Sequence, residues 1–248
     1  MPESVACFRF YEELNDFLAV DRHKRTFEYL FNGKPAVKDA IEALGVPHSE
    51  VDLILANGRS VGFEYQLQDG DRIAVYPVFE ALDISPIVKL RDKPLRRSRF
   101  VLDVHLGKLA RLLRMLGFDV RYRNDYTDRE IITISIDEGR TILTRDRRLL
   151  FAKVVTRGYW LRSTEPEKQC REVLERFDLY SQIKPFSRCL LCNGAIKAID
   201  KSRIIDQLEP RTKWHFDAFF RCEQCGKLYW KGSHFDRMMQ TLARLRRE

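Results

Sequence analysis

Hydrophobic positions along the chain change their period several times, and each change marks an element. Phe8 and Phe10, then Phe27, Tyr29 and Phe31, alternate with polar residues, predicting strands over 4–10 and 25–31. From Pro35 onward Val37, Ile41 and Leu44 recur at helical steps until Gly45 stops them. Val51 to Ala56 predicts a strand turned by Asn57-Gly58. Val61, Phe63, Tyr65 and Leu67 alternate as the next strand, Asp69-Gly70 turns the chain, and Ile73 and Val75 complete the sheet. A short apolar run, Phe100 to Leu102, then ends in Asp103. Beyond it Leu106, Leu109, Leu112, Leu113 and Leu116 share one helical face, with Lys108, Arg111 and Arg114 opposite, and Gly117 ends the helix. Phe118-Asp119-Val120 starts a strand, and Ile131, Ile132 and Ile134 follow in a helix with Asp128 at its N-cap. Arg140 to Thr144 is another strand, running into Arg145-Asp146-Arg147-Arg148. Val154, Val155, Tyr159 and Leu161 predict one more around Gly158, before a helix from Pro166 to Phe177.

Strands alternating with helices over 99–183 predict an α/β domain with a mostly parallel sheet and flanking helices. The two strands, helix and further strands of 1–82 predict an α+β domain ahead of it. Pro86, Pro94 and Arg96-Arg97 mark 83–98 as a linker, and 184–248 forms a cysteine-bearing, basic C-terminal region. No apolar run approaches a membrane span and no signal-peptide pattern opens the chain, so a cytoplasmic protein without a membrane partner is expected. The net charge of +8 is uneven. Residues 1–82 carry 8 basic and 14 acidic side chains, 89–123 carry 11 and 3, and 184–248 carry 14 and 7. A basic middle and tail behind an acidic front suits a polyanionic partner, nucleic acid first, as well as plain solubility.

Asp103 and Asp146 each follow a strand, at the edge where open α/β sheets bind ligands. Asp125 or Asp128 falls on a neighbouring connection. Carboxylates gathered in a basic surround repel one another unless a cation sits among them. Mg²⁺ or Mn²⁺ suits oxygen ligands and a phosphate substrate, and serves phosphodiester hydrolysis. The same residue types also serve as helix caps (Asp103, Asp128) or as an ion-pair partner of Arg145 or Arg147 (Asp146). Arg145 and Arg147 are placed to hold a phosphate beside the acid, and Lys108, Arg111 and Arg114 to follow an RNA backbone or simply to solvate a helix face. Tyr122 and Tyr126 suit base stacking or packing.

Of the six cysteines, four form two C-x-x-C pairs, Cys189/Cys192 and Cys222/Cys225, 29 residues apart. That spacing reads as a closed four-thiolate zinc site with a structural role, not as a disulfide framework. Tyr229-Trp230-Lys231 after the second pair mixes aromatic and basic groups, as RNA-binding surfaces do and as a core edge also can. Cys7 and Cys170 stand apart as buried thiols.

The stretch from Asn57-Gly58 through Leu67-x-Asp69-Gly70-Asp71 to Val75-Tyr76-Pro77 resembles the ubiquitin-like sulfur carriers of thiamine and molybdopterin synthesis. The resemblance implies a β-grasp fold. Val78-Phe79-Glu80 stands where those carriers have Gly-Gly, so a docking or regulatory module with a protein partner is expected in place of carrier chemistry. Phe100-Val-Leu-Asp103-x-His105-Leu-Gly-Lys-Leu-Ala-Arg111-x-Leu-Arg114-x-Leu-Gly117-Phe-Asp119, Arg140-x-Ile-Leu-Thr144-Arg145-Asp146 and the cysteine pairs together resemble a PIN-like ribonuclease family. That family is named after the C-terminal domain of the Mut-seven exonuclease. It implies a PIN-like sheet followed by a zinc ribbon, and metal-dependent, endonucleolytic RNA cleavage through clustered acids. Asp103 and Asp146 match its ligand positions, and Asp125 and Asp128 compete for the third. A non-catalytic RNA-binding zinc-ribbon adaptor and a sulfur-carrier or conjugation component are the alternatives.

Overall fold

A computed structural model describes residues 4–77 and 98–246; the linker expected at 83–98 lies outside them, save for Ser98. The N-terminal strands are β1 (Ser4–Phe10), β2 (Phe27–Phe31), β3 (Val51–Ala56), β4 (Arg59–Val61) and β5 (Arg72–Pro77), with helix α1 at Val37–Ala43. They form one sheet in the order β2-β1-β5-β3-β4, with β1 and β5 parallel at its centre. This is the β-grasp order. Its alternating residues Phe8, Phe10, Ile54, Ile73 and Val75 are buried together with Ile41 of α1. Asn57 and Gly58 both take positive φ, 52° and 81°, as a two-residue hairpin demands.

One strand is shorter than its alternation predicts. The expected run Val61–Leu67 stops as a strand at Val61. The carbonyls of Phe63 and Tyr65 instead accept from the amides of Lys38 and Val37. Those amides open α1 and have no partner within the helix, so the segment caps α1 and leaves the ladder. Its alternation persists because every second side chain still faces the core. The strand predicted from 25 begins at Phe27, after two 3-10 turns at Glu12–Phe17 and Val20–Arg22.

The chain continues through β6 (Arg99–Leu102), α2 (Gly107–Met115), β7 (Asp119–Arg121), α3 (Asp128–Glu138), β8 (Thr141–Thr144), α4 (Arg147–Leu150), β9 (Gly158–Trp160) and α5 (Pro166–Arg176). β6 runs parallel to β7, and β8 parallel to β9. β10 (Ile196–Ile199), α6 (Pro210–His215), β11 (Phe219–Cys222), β12 (Leu228–Trp230) and α7 (Ser233–Arg246) follow. β10, β11 and β12 make a three-stranded antiparallel sheet. No expected element of the sequence pattern covers helix α7. Its buried Leu242 and Leu245 sit three residues apart on one face.

These elements divide into two compact units: Met1–Arg97 with Ser135–Trp160, and Ser98–Ile134 with Leu161–Glu248. In the first unit β8, α4 and β9 pack with the β-grasp domain. In the second α2 packs on α5, and α5 on α7. Gly117 is indispensable to the second: its φ is 97°, and a Cβ there would overlap the Lys184 carbonyl oxygen. Among the described residues no helix is long and apolar enough to cross a membrane.

Candidate functional site

Asp103 lies directly past β6, 8% exposed, and starts a 3-10 turn at Val104–Leu106. Its Oδ1 is 3.5 Å from the His105 amide, a long contact. Tyr122 approaches from β7's end and donates to the Val104 carbonyl at 2.8 Å, with its ring against Gly107. Burial pushes the Tyr122 phenol above its ordinary range, and the Asp103 charge adds to that. Tyr122 is therefore a packing residue beside Asp103, while Tyr126 lies under the Arg123 guanidinium, 4.7 Å from its ring centroid.

Asp146 follows β8, exposed, and caps α4 by accepting from the Arg148 amide at 2.8 Å. Its own amide donates to Thr144 Oγ1 at 2.8 Å. Of the residues on either side, Arg147 is held by the β-grasp part of the same unit and by Trp160 of β9, and Arg145 by Trp160. Arg147 lies 3.8 Å from the Trp160 ring centroid and 5.2 Å from that of Phe17, and donates to the Asp16 carbonyl at 3.2 Å. Trp160 Nε1 donates to the Arg145 carbonyl at 3.2 Å, and the Trp160 amide to Glu50 Oε1 at 2.6 Å. Arg147, expected to hold phosphate, is thus engaged with aromatic rings and a carbonyl; Arg145 is exposed. Trp160→Ala should lower stability by on the order of 2 kcal/mol, less than the roughly 3–5 of a fully buried aromatic because Trp160 is only half-buried. Thermal unfolding would show it, and an unchanged melting temperature would contradict the clamp.

Asp125 sits in an exposed loop and accepts from Arg123 Nε at 2.8 Å. That hydrogen bond holds its carboxyl below the ordinary carboxylate range. Asp128 is the first residue of α3 and does not supply the cap expected of it. Thr127 does: its Oγ1 accepts from the Glu130 amide at 3.3 Å, and Glu130 Oε2 accepts from the Thr127 amide at 2.8 Å. This reciprocal box frees the Asp128 carboxylate from capping.

On α2 Lys108 and Arg111 are exposed, as the helical period predicts. Arg114 is a correction: it is 4% exposed and does not face solvent. Its guanidinium donates to the Val120 carbonyl at 2.9 Å and to the Leu191 and Leu190 carbonyls at 2.9 and 3.3 Å. Burial draws its pKa down, and the charge-assisted bonds offset that cost. Arg114→Leu would strand these carbonyls at roughly 1–3 kcal/mol each, so a loss of about 3 kcal/mol in unfolding free energy is expected. Denaturant unfolding within 0.5 kcal/mol or so of the parent, the range of ordinary surface changes, would contradict it.

The four cysteines Cys189, Cys192, Cys222 and Cys225 come together, their sulfurs all within 4.8 Å of one another. Cys192 Sγ is 3.4 Å from Cys222 Sγ, and Cys189 Sγ 3.6 Å from Cys225 Sγ. A tetrahedron of ligands at about 2.3 Å has edges of roughly 3.7 Å, so the set can hold a metal such as zinc. Each pair is followed by a residue with positive φ, Asn193 at 71° and Gly226 at 75°, that folds the chain back under the sulfurs. Burial pushes the Cys189 thiol up, but the Tyr229 hydroxyl, 3.0 Å away, and the amides of Cys192 and Leu191 bring it down to about 6. Asn193 also joins the first pair to β7: it accepts from the Val120 amide and donates to Asp119 Oδ1. Sequence reasoning missed this role for Asn193 and Arg114. Cys170 is buried, its thiol pushed up to about 12, whereas Cys7 is only half-buried.

A ubiquitin-like sheet and an α/β region with a four-thiolate cluster thus share one chain. A family model described as the Mut7-C RNAse domain matches residues 98–242, and one described as Mut7-C ubiquitin matches residues 3–83. The chain belongs to the Mut7-C RNAse family, with a ubiquitin-like domain ahead of the nuclease-like region. No curated protein and no solved structure matches it.

Proposed function

We propose that the protein is a divalent-metal-dependent ribonuclease that cuts RNA endonucleolytically. The observation that carries the reading is the RNAse-domain match over 98–242. Two carboxylates within it, Asp103 and Asp146, each end a parallel strand. Asp103 and Asp146, with Asp125 or Asp128, would hold Mg²⁺ or Mn²⁺. Carboxylate oxygens are hard donors that suit such an ion. The ion supplies an activated water and charge stabilisation at the leaving oxygen. In the hydrolysis a water oxygen bonds to phosphorus and the P–O3′ bond breaks. The products are a 3′-hydroxyl and a 5′-phosphate. Lys108 and Arg111, both exposed, bind substrate phosphates, and Arg145 supports them beside Asp146.

The four cysteines hold a structural zinc ion in a ribbon with β10, β11 and β12. The cytoplasm, where thiols stay reduced, is the compartment. The ubiquitin-like domain supports the Asp146 segment through Phe17 and Asp16, which hold Arg147, and offers its remaining surface to a protein partner. The function is tested by incubating the purified protein with linear and circular RNA in Mg²⁺, Mn²⁺ or chelator. Cleavage of both forms only with metal is expected. An intact circle beside a degraded linear strand would remove the endonucleolytic assignment, and cleavage undiminished in chelator would remove the metal.

A further inference from the structure

Within the second unit a groove of about 960 Å³ runs between α2, the end of β12 and α7. Its size is at the upper end of the roughly 300–1,000 Å³ of ligand clefts. Its floor is apolar, with Leu112, Met115 and Leu228, and aromatic, with Phe216, Trp230 and Phe235. Trp230 is 39% exposed, a large ring left open to solvent on a strand that otherwise packs inward. The rim is cationic. Lys108 and Arg111 come from α2, Lys227 from the turn before β12, and Arg237 from α7, all exposed. The single carboxylate in the lining, Glu167, is bound at 2.6 and 3.1 Å by Arg244 and does not offset them.

An apolar, aromatic floor inside a ring of cations matches a ligand with flat rings and a charged backbone. We propose that this groove binds a single-stranded segment of RNA, with a base stacked on Trp230 and flanking phosphates on Lys108, Arg111, Lys227 and Arg237. Duplex RNA fits less well, because paired bases hide the faces that the floor would contact. An apolar peptide would leave the cations unpartnered. The inference rests on the reading of the chain as an RNA-cleaving protein and adds a substrate requirement to it: an unpaired stretch held on the zinc-ribbon side. Trp230 and Arg237 then belong to substrate binding, although both lie far in sequence from Asp103 and Asp146.

The test is equilibrium binding of a fluorescent 12-mer of single-stranded RNA to the full, zinc-loaded chain in buffer without added Mg²⁺ or Mn²⁺, alongside the same RNA as a duplex. Trp230→Ala and Arg237→Glu should each weaken single-strand binding about tenfold or more, in line with roughly 1–3 kcal/mol per stacked base. Trp230→Phe should retain most of the affinity, which separates stacking from loss of fold, and circular dichroism confirms folding. The salt dependence should flatten in Arg237→Glu as a phosphate contact is lost. Parent-level affinity in both Trp230→Ala and Arg237→Glu, or duplex bound as tightly as single strand, would overturn the groove as the RNA site while leaving cleavage intact. Groove-dependent binding without cleavage in Mg²⁺ or Mn²⁺ would uphold it and remove the ribonuclease reading instead.

Discussion

Asp103→Asn and Asp146→Asn are each expected to slow RNA cleavage by on the order of a hundredfold or more, judged by comparable losses of electrostatic stabilisation. Asn keeps the shape of the side chain and removes the charge that a divalent ion requires. Each variant should fold. Asn is as good a helix cap as Asp, so the Asp146 contact to the Arg148 amide survives the change. The long contact of Asp103 with the His105 amide can be kept by the Asn side-chain oxygen. RNA affinity should hold or rise slightly, because phosphate binding depends on exposed cations and a repelling charge has gone. A fall in cleavage with no fall in binding separates a metal ligand from a structural residue. Parent-level cleavage by both folded variants would remove these two carboxylates from the chemistry.

Cys192→Ser should release the zinc and unfold about residues 185–235, since metal binding supplies the folding free energy of such a segment. The loss should travel further than a surface ribbon would suggest. Arg114 donates to the carbonyls of Leu190 and Leu191, and Asn193 joins the same turn to β7. Amides of β7 and of the end of α2 should therefore exchange faster with solvent in the variant. Elemental analysis reads the metal directly. One zinc per chain in the parent and none in Cys192→Ser is the expected result, and a zinc-free parent freshly purified without chelator would contradict it.

Much of this architecture is written in short-range patterns. The alternation in β1 and β5, the Asn57-Gly58 turn and the leucine face of α2 all appear in the structure because each is a local rule meeting a buried face. The cysteine pairs are legible for a similar reason: the spacing within each pair sets the turn, and four thiols have few other uses together. Long-range partners are not legible. Arg114 occupies a helix position that the period alone assigns to solvent, and only the fold brings the Leu190 and Leu191 carbonyls over it. Residues 63–67 keep a strand's alternation while their carbonyls serve α1. The association of Ser135–Trp160 with the β-grasp domain depends on Trp160 meeting Phe17 and Glu50, and nothing near Trp160 in sequence announces that. α7 was hidden by its surroundings: a basic tail masks the spacing of Leu242 and Leu245.

The chemistry of the cut ends reports most directly on how the bond is broken. Metal-activated water attacking phosphorus leaves a 3′-hydroxyl and a 5′-phosphate, whereas attack by the RNA's own 2′-hydroxyl needs no metal and leaves a 2′,3′-cyclic phosphate. A defined single-stranded RNA cut by the parent protein in Mn²⁺ and sized by mass spectrometry distinguishes the two. The account predicts 3′-hydroxyl and 5′-phosphate ends, absent in chelator and strongly reduced in Asp146→Asn. Cyclic phosphate ends, formed equally with and without metal, would contradict it.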